Sequence, residues 1–253
     1  MPLHEARAVN TLQLDILGGV YVGPPEETIF TNDPIFTLYA YLVPDANAPL
    51  TDTYYISAAL TWDAPVPPPP GAGLGSFAVD PAGALPSVTY DVTGDMTFGT
   101  PPISAPNSQN LQGHGIYDTY FIEIPFTFNP SNEAAQYNTA TDTGDGPGLH
   151  PGTGMYYQAF NVDILGFDSS PGSLPPNSYR IHFDLYNVGQ KCKPSGCVTE
   201  VASFAPFSHD AEDPPVCVPG DPSCSSVPEP ASVLLTGVGL LGLAAFRKKW
   251  SGR

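Results

Sequence analysis

Positive charge is scarce in this chain: eight Lys and Arg stand against 25 Asp and Glu in 253 residues, a formal net charge of -17. Arg247, Lys248, Lys249 and Arg253 crowd the C-terminus, which leaves only Arg7, Arg180, Lys191 and Lys193 for everything before it. So acidic a surface repels phosphate backbones and excludes nucleic acid as a partner. Motifs of chemistry are lacking as well: there is no G-x-S-x-G, H-E-x-x-H or P-loop. Before the C-terminal tail, helix signals are confined to 131–137, where Asn129-Pro130-Ser131 leads into Asn132-Glu133-Ala134-Ala135-Gln136 and predicts a turn or two of helix. Cysteine is limited to four residues, and uncharged apolar runs of membrane type to one, near the C-terminus.

What is present is clearest at that end. Val227-Pro228-Glu229-Pro230 precedes an apolar run over 231–246, and Arg247, Lys248 and Lys249 follow it. At ~1.5 Å per residue the run spans about 24 Å as a helix, enough to cross hydrocarbon only thinly. The cationic end over 247–253 stays on the cytoplasmic side and places the rest of the chain across the membrane. In their order these parts resemble a PEP-CTERM sorting signal, with its Pro-Glu-Pro motif at 228–230, short transmembrane helix and basic end. The resemblance implies export by a Gram-negative bacterium, transient retention in the inner membrane, and cleavage near the motif by an exosortase-type membrane protease. The rival is an ordinary tail anchor, for which ~20 apolar residues are usual. Gly237-Val238-Gly239-Leu240-Leu241-Gly242 fits G-x-G-x-x-G by letter, but no strand–turn–helix surrounds it, and small residues in a lipid-facing segment account for it.

Export predicts a signal peptide and an oxidising compartment. Residues 1–8 hold no apolar core, yet Ala6-Arg7-Ala8 fits a signal-peptidase site, so this stretch reads as the remnant of a cleavage region. The local pairs Cys192–Cys197 and Cys217–Cys224 are the simplest of three disulfide connectivities. Zinc is the rival, although the six residues between Cys217 and Cys224 exceed the usual ligand spacing.

Between these ends the chain alternates short apolar-periodic stretches with Gly, Pro and Asn turns, which predicts an all-β antiparallel sandwich of jelly-roll type over 9–213. A Pro/Cys/Ser-rich stalk follows at 214–226, and the sorting tail fills 227–253. Leu12, Leu14 and Ile16 face inward in a first strand, with Gln13 and Asp15 opposite. Phe36, Leu38, Ala40 and Leu42 do so in a second, with Tyr39 and Tyr41 opposite. Later strands place Ile122, Ile124, Phe126 and Phe128, then Phe160, Val162 and Ile164, then Ile181, Phe183 and Leu185 inward, with His182, Asp184 and Tyr186 outward. Pro125 predicts an edge or a bulge, and Thr93-Gly94-Asp95 a hairpin turn. Pro67 to Pro70 predict an exposed polyproline loop.

Stretches across this domain, among them Phe36-Thr37-Leu38-Tyr39-Ala40, Asp52-Thr53-Tyr54-Tyr55-Ile56-Ser57 and Ile181-His182-Phe183-Asp184-Leu185-Tyr186, resemble the choice-of-anchor surface proteins, in particular the group lettered N. That resemblance carries over no catalytic residues. Asp142-Thr143-Gly144 matches an aspartic-protease triplet but occurs once, where two carboxylates must share a site. Asp142 and Asp145 in a Gly-rich stretch are candidate calcium ligands, without the full EF-hand pattern. His182 with Asp184, and His209 with Asp210, have the types but not the demonstrated geometry of an acid–base or metal pair. Tyr39, Tyr41 and Tyr186, read as outward-facing, are candidate sugar-stacking residues. The sequence therefore predicts a non-catalytic exported surface or matrix protein that needs no cofactor and associates with exopolysaccharide; the alternative is a secreted glycan-binding or carbohydrate-active sandwich, a hydrolase or lyase.

Overall fold

The computed structural model describes residues 10–23, 28–62, 73–82, 87–103, 118–170, 179–194, 196–206 and 210–212. They lie in the first of two units, Met1–Val216 and Cys217–Arg253. Stretches of alternating apolar residues become the strands β1 (Leu12–Ile16), β4 (Ile35–Leu42), β5 (Tyr54–Trp62), β9 (Thr119–Phe126), β11 (Gly154–Asp163) and β12 (Tyr179–Lys193). Shorter ones are β2 (Val20–Val22), β3 (Thr28–Phe30), β6 (Ser76–Pro81), β7 (Thr89–Asp91), β8 (Thr97–Gly99), β10 (Glu133–Ala135), β13 (Gly196–Phe204) and β14 (Asp210–Glu212).

These strands make two sheets. One has six strands in the order β1-β4-β11-β6-β7, with β10 also on β11; the other has eight in the order β2-β3-β14-β12-β5-β9-β8, with β13 also on β12. Both sheets are antiparallel apart from the parallel pair β3–β14. Together their fourteen strands outnumber the eight of a jelly roll. Most of the long strands hand the chain to the opposite sheet, β4 to β5, β9 to β11, and β11 to β12, whereas β12 turns back on β13 in its own sheet. The core forms between the sheets, where side chains of period two from both meet. Phe36 of β4 packs edge-on against Phe183 of β12 at 6.1 Å, and Phe160 of β11 against Phe126 of β9 at 5.0 Å. Leu14, Ile16, Leu38, Ile56, Leu60, Val162 and Ile181 are fully buried around them.

Several expectations change. The 131–137 segment is not helical; it contributes β10, which pairs Glu133 with Tyr156 and Ala135 with Gly154. The reason is the edge of β11: β6 covers only Phe160 to Asp163, and the backbone groups nearer Gly154 need partners of their own. Thr93-Gly94-Asp95 does not close a hairpin, because β7 belongs to the six-stranded sheet and β8 to the eight-stranded one. Thr93 takes a positive φ of 68° at this crossing. Pro125 does sit at an open edge: β8 pairs only with Thr119 to Phe121, so no strand among the described residues lies on that side of Pro125. Pro67 to Pro70 lie outside the described residues.

Candidate functional site

The largest departure from the sequence reading is on the outer faces of the sheets, which both carry buried polar groups. Gln13 and Asp15 alternate out of the core as expected, yet both are 0% exposed. Their cover is the Gly-rich segment 137–150, which folds back over β1 and β4. Gln13 clamps it twice: its Nε2 donates to the Tyr137 carbonyl at 3.1 Å, and its Oε1 accepts from the Thr139 N–H at 3.1 Å. The Gly144 N–H donates to an Asp15 carboxylate oxygen at 2.9 Å, and the Gly144 carbonyl accepts from the Gly18 N–H at 2.9 Å. Gly144 has a φ of +80°, and a Cβ there would stand 2.7 Å from the Gly19 carbonyl, so only glycine fits this approach. Burial raises the Asp15 pKa to about 7, more than the N–H groups of Gly144, Gly146 and Ile16 lower it, and the negative charge of Asp145 adds to the rise.

The tyrosines under this segment are structural. Tyr41 is 0% exposed and accepts a 2.5 Å hydrogen bond from the Tyr137 hydroxyl; their rings meet edge-on at 5.3 Å. Burial holds the phenols of Tyr41 and Tyr137 above the ordinary tyrosine range. Tyr39 stacks on Tyr41 at 5.9 Å and is half-buried, its ring covered in part by Gly146. Tyr137 in turn stacks flat on His150 at 3.7 Å. The His150 Nε2 stands 3.2 Å from an Asp145 oxygen, while Asp142 is exposed and accepts from the Thr141 hydroxyl at 2.9 Å. Asp145 thus faces a histidine and Asp142 faces its neighbour; among the described residues no group of three acids, histidines or cysteines could hold a metal ion.

On the eight-stranded sheet, register sets Asp184, Ser57 and Glu123 side by side across three strands. At ~4.8 Å per strand the outer two lie about 10 Å apart at Cα. Tyr186 and Tyr55 form the next row, stacked at 5.7 Å, and the Tyr186 hydroxyl donates to Glu123. His182, one row the other way, has its Nε2 3.6 Å from Asp184. Read from sequence as outward and free, His182, Asp184 and Tyr186 are instead 5%, 1% and 0% exposed. As folded, Tyr41 and Tyr186 offer no surface to a sugar ring. Ser57, also 0% exposed, and the Glu123 row were not singled out from sequence; the period-two spacing of Ser57 from Tyr55 and of Glu123 from Pro125 carried that signal.

Cys192 and Cys197 form a disulfide and stand directly opposite one another in the β12–β13 ladder, so the expected loop is the tip of a hairpin. The pairing excludes zinc at these two positions. Cys217, Cys224, His209, the sorting motif Val227-Pro228-Glu229-Pro230 and the cations Arg247, Lys248 and Lys249 lie outside the described residues.

No curated protein matches the sequence. A solved chain described as "BspA_C_mut" aligns over 80% of this chain and 51% of its own, so that this chain spans about half of its length; the identity is 8% and the TM-score 0.19, too slight a likeness to bear on fold or function. Nothing among these comparisons supports the resemblance to choice-of-anchor group N. The tail is different: residues 226–249 match the family model of the PEP-CTERM protein-sorting motif, a signal for exosortase-dependent sorting of an exported, cell-surface protein.

Proposed function

We propose that the chain is a non-catalytic surface or matrix protein of a Gram-negative bacterium. It is held briefly in the inner membrane by the 231–246 run, cut near Pro228-Glu229-Pro230 by an exosortase-type protease, and released as an acidic β-sandwich into exopolysaccharide. The match at 226–249 carries this reading. The Cys192–Cys197 disulfide supports it, because such bonds persist in oxidising compartments. The acid excess supports association with an acidic polymer through shared divalent cations rather than through tyrosine stacking.

The alternative, a carbohydrate-active enzyme, draws on one observation: Glu123 and Asp184 lie on one face of the sheet two strands apart, and glycoside hydrolases work with paired carboxylates. Burial weighs against it, since Asp184 at 1% exposure lines no open cleft. The test is processing in the native host. With Pro228-Glu229-Pro230 replaced by Ala-Ala-Ala, an epitope after Arg253 is expected to stay joined to the sandwich in the membrane fraction, while the unaltered protein appears outside the cell without it. Equal processing of both forms would defeat the proposal.

A further inference from the structure

Strand β12 outruns its sheet. It pairs with β5 only as far as Asn187, which faces Tyr54, and from Val188 to Lys193 its ladder is with β13 alone. The register slips between Asn187 and Val188, a bulge that bends the ribbon as it leaves the sheet. Val188 and Val201 still pack against the Tyr186 cluster at the base. At the tip Gln190, Cys192, Lys193, Gly196, Cys197 and Val198 are exposed, Val198 to 44%. The disulfide bonds the two sides of the tip, so the ribbon cannot splay. Among the described residues neither outer edge of this arm has a strand partner.

The arm also holds the positive charge. Between residues 10 and 206 there are nineteen acids and three cations; two of those cations, Lys191 and Lys193, lie towards the end of the arm, against one acid, Glu200, opposite Gly189 near its base. Six residues of strand extend up to ~20 Å. That is more than twice the Debye length of about 8 Å at physiological ionic strength, so the field of the acidic body is largely screened at the tip. The geometry points to the β12–β13 arm as a docking element for a second copy of this chain, its lysines set against the carboxylates of the neighbour's sandwich. Asp33, Asp91, Asp95, Glu133 and Asp163 supply exposed carboxylates there. Because the arm of one copy meets the body of the next, the contact is head-to-tail and repeats into open chains, as suits a protein displayed in quantity at a surface. The inference does not depend on how the tail is processed.

Charge of this layout gives an ionic-strength optimum. At about 10 mM salt the Debye length is about 30 Å, longer than the arm, and bodies repel; at about 1 M the lysine contacts themselves are screened. The experiment mixes two differently labelled pools of the full chain in nonionic detergent and follows co-diffusion by fluorescence cross-correlation. Co-diffusion is expected to peak near 0.15 M NaCl and to fall at both extremes, and the double variant Lys191→Glu/Lys193→Glu is expected to lose about tenfold or more in association. Its thermal transition at 0.15 M NaCl, where charge repulsion is screened beyond about 8 Å, should stay cooperative and close to that of the unaltered chain, because the tip lies outside the core. Cys192→Ser/Cys197→Ser should weaken the optimum and keep its position. The inference is overturned by absence of co-diffusion at every salt concentration, by equal association of the charge-reversed variant, or by lysine-dependent binding to a polyuronate without self-association, which would assign the arm to an acidic polysaccharide.

Discussion

Asp15 is where one side chain ties the pH of the surroundings to the stability of the fold. Its carboxyl is buried beneath the 137–150 segment, and its pKa stands near 7, against 3.8 for the unperturbed group. Between those values the folded state binds a proton that the unfolded state releases. The stabilisation from this group is therefore full below pH 3.8, declines as pH rises, and is gone above about 7, with a limiting slope of about 1.4 kcal/mol per pH unit. Asp15→Asn cannot charge, so the difference in unfolding free energy between the two proteins, followed by urea denaturation from pH 4 to pH 8 (roughly the window of that titration), should shift in favour of the variant as pH rises. A difference that stays flat would mean that Asp15 is ionised as folded. Only half of this residue's setting was legible in the sequence. Alternation through Leu12, Leu14 and Ile16 turned Asp15 away from the core, correctly, but its cover comes from Gly144, 129 positions away, and no local pattern announces a contact so distant.

At the scale of elements, the 137–150 segment behaves as a strap held by side chains instead of by a ladder. Gln13 supplies two of its anchors, and both backbone groups it satisfies lie at buried positions. Gln13→Ala removes the hydrogen bonds made to the Tyr137 carbonyl and the Thr139 N–H, at a cost of about 1–3 kcal/mol for each bond lost at a buried position. Gly144 and Tyr137 tie the strap as well, but it joins no ladder, so the loss should appear as local opening around Gln13. Hydrogen exchange read by mass spectrometry is expected to speed up across 137–146 and to stay unchanged in β5 and β12; uniform acceleration everywhere would show that the strap and the sandwich open as one unit. The long strands were legible because each buries one apolar face, as Phe36, Leu38, Ala40 and Leu42 do. Three-residue strands such as β3 and β14 have too few positions to show a period, and β10 is dictated by the vacant edge of β11 rather than by its own Glu-Ala-Ala. The hairpin expected at Thr93-Gly94-Asp95 failed for a related reason: turn residues specify a reversal of the chain, not the sheet to which the next strand goes.

For the molecule as a whole, charge and fold pull in opposite directions. The sorting signal was legible because its three parts are contiguous, and the two-sheet architecture because alternation recurs; the buried tyrosines were not, because an aromatic residue on an outer face reads the same whether covered or bare. What composition does state is self-repulsion: nineteen acids face three cations over residues 10 to 206, and folding brings those charges together. Salt screens that repulsion over a distance of about 30 Å at 10 mM and about 8 Å at 0.15 M, so the sandwich should gain stability across this range. The expected rise in Tm for the full chain in nonionic detergent is about 2–4 °C, the equivalent of ~1 kcal/mol for a domain of this size. The Lys191→Glu/Lys193→Glu variant separates this effect from association through the arm: it adds negative charge and removes docking, so its Tm should climb with salt at least as steeply. A Tm that falls as salt is added would reverse the argument, because it would mean that attractive pairs around the few cations outweigh the repulsion among the acids.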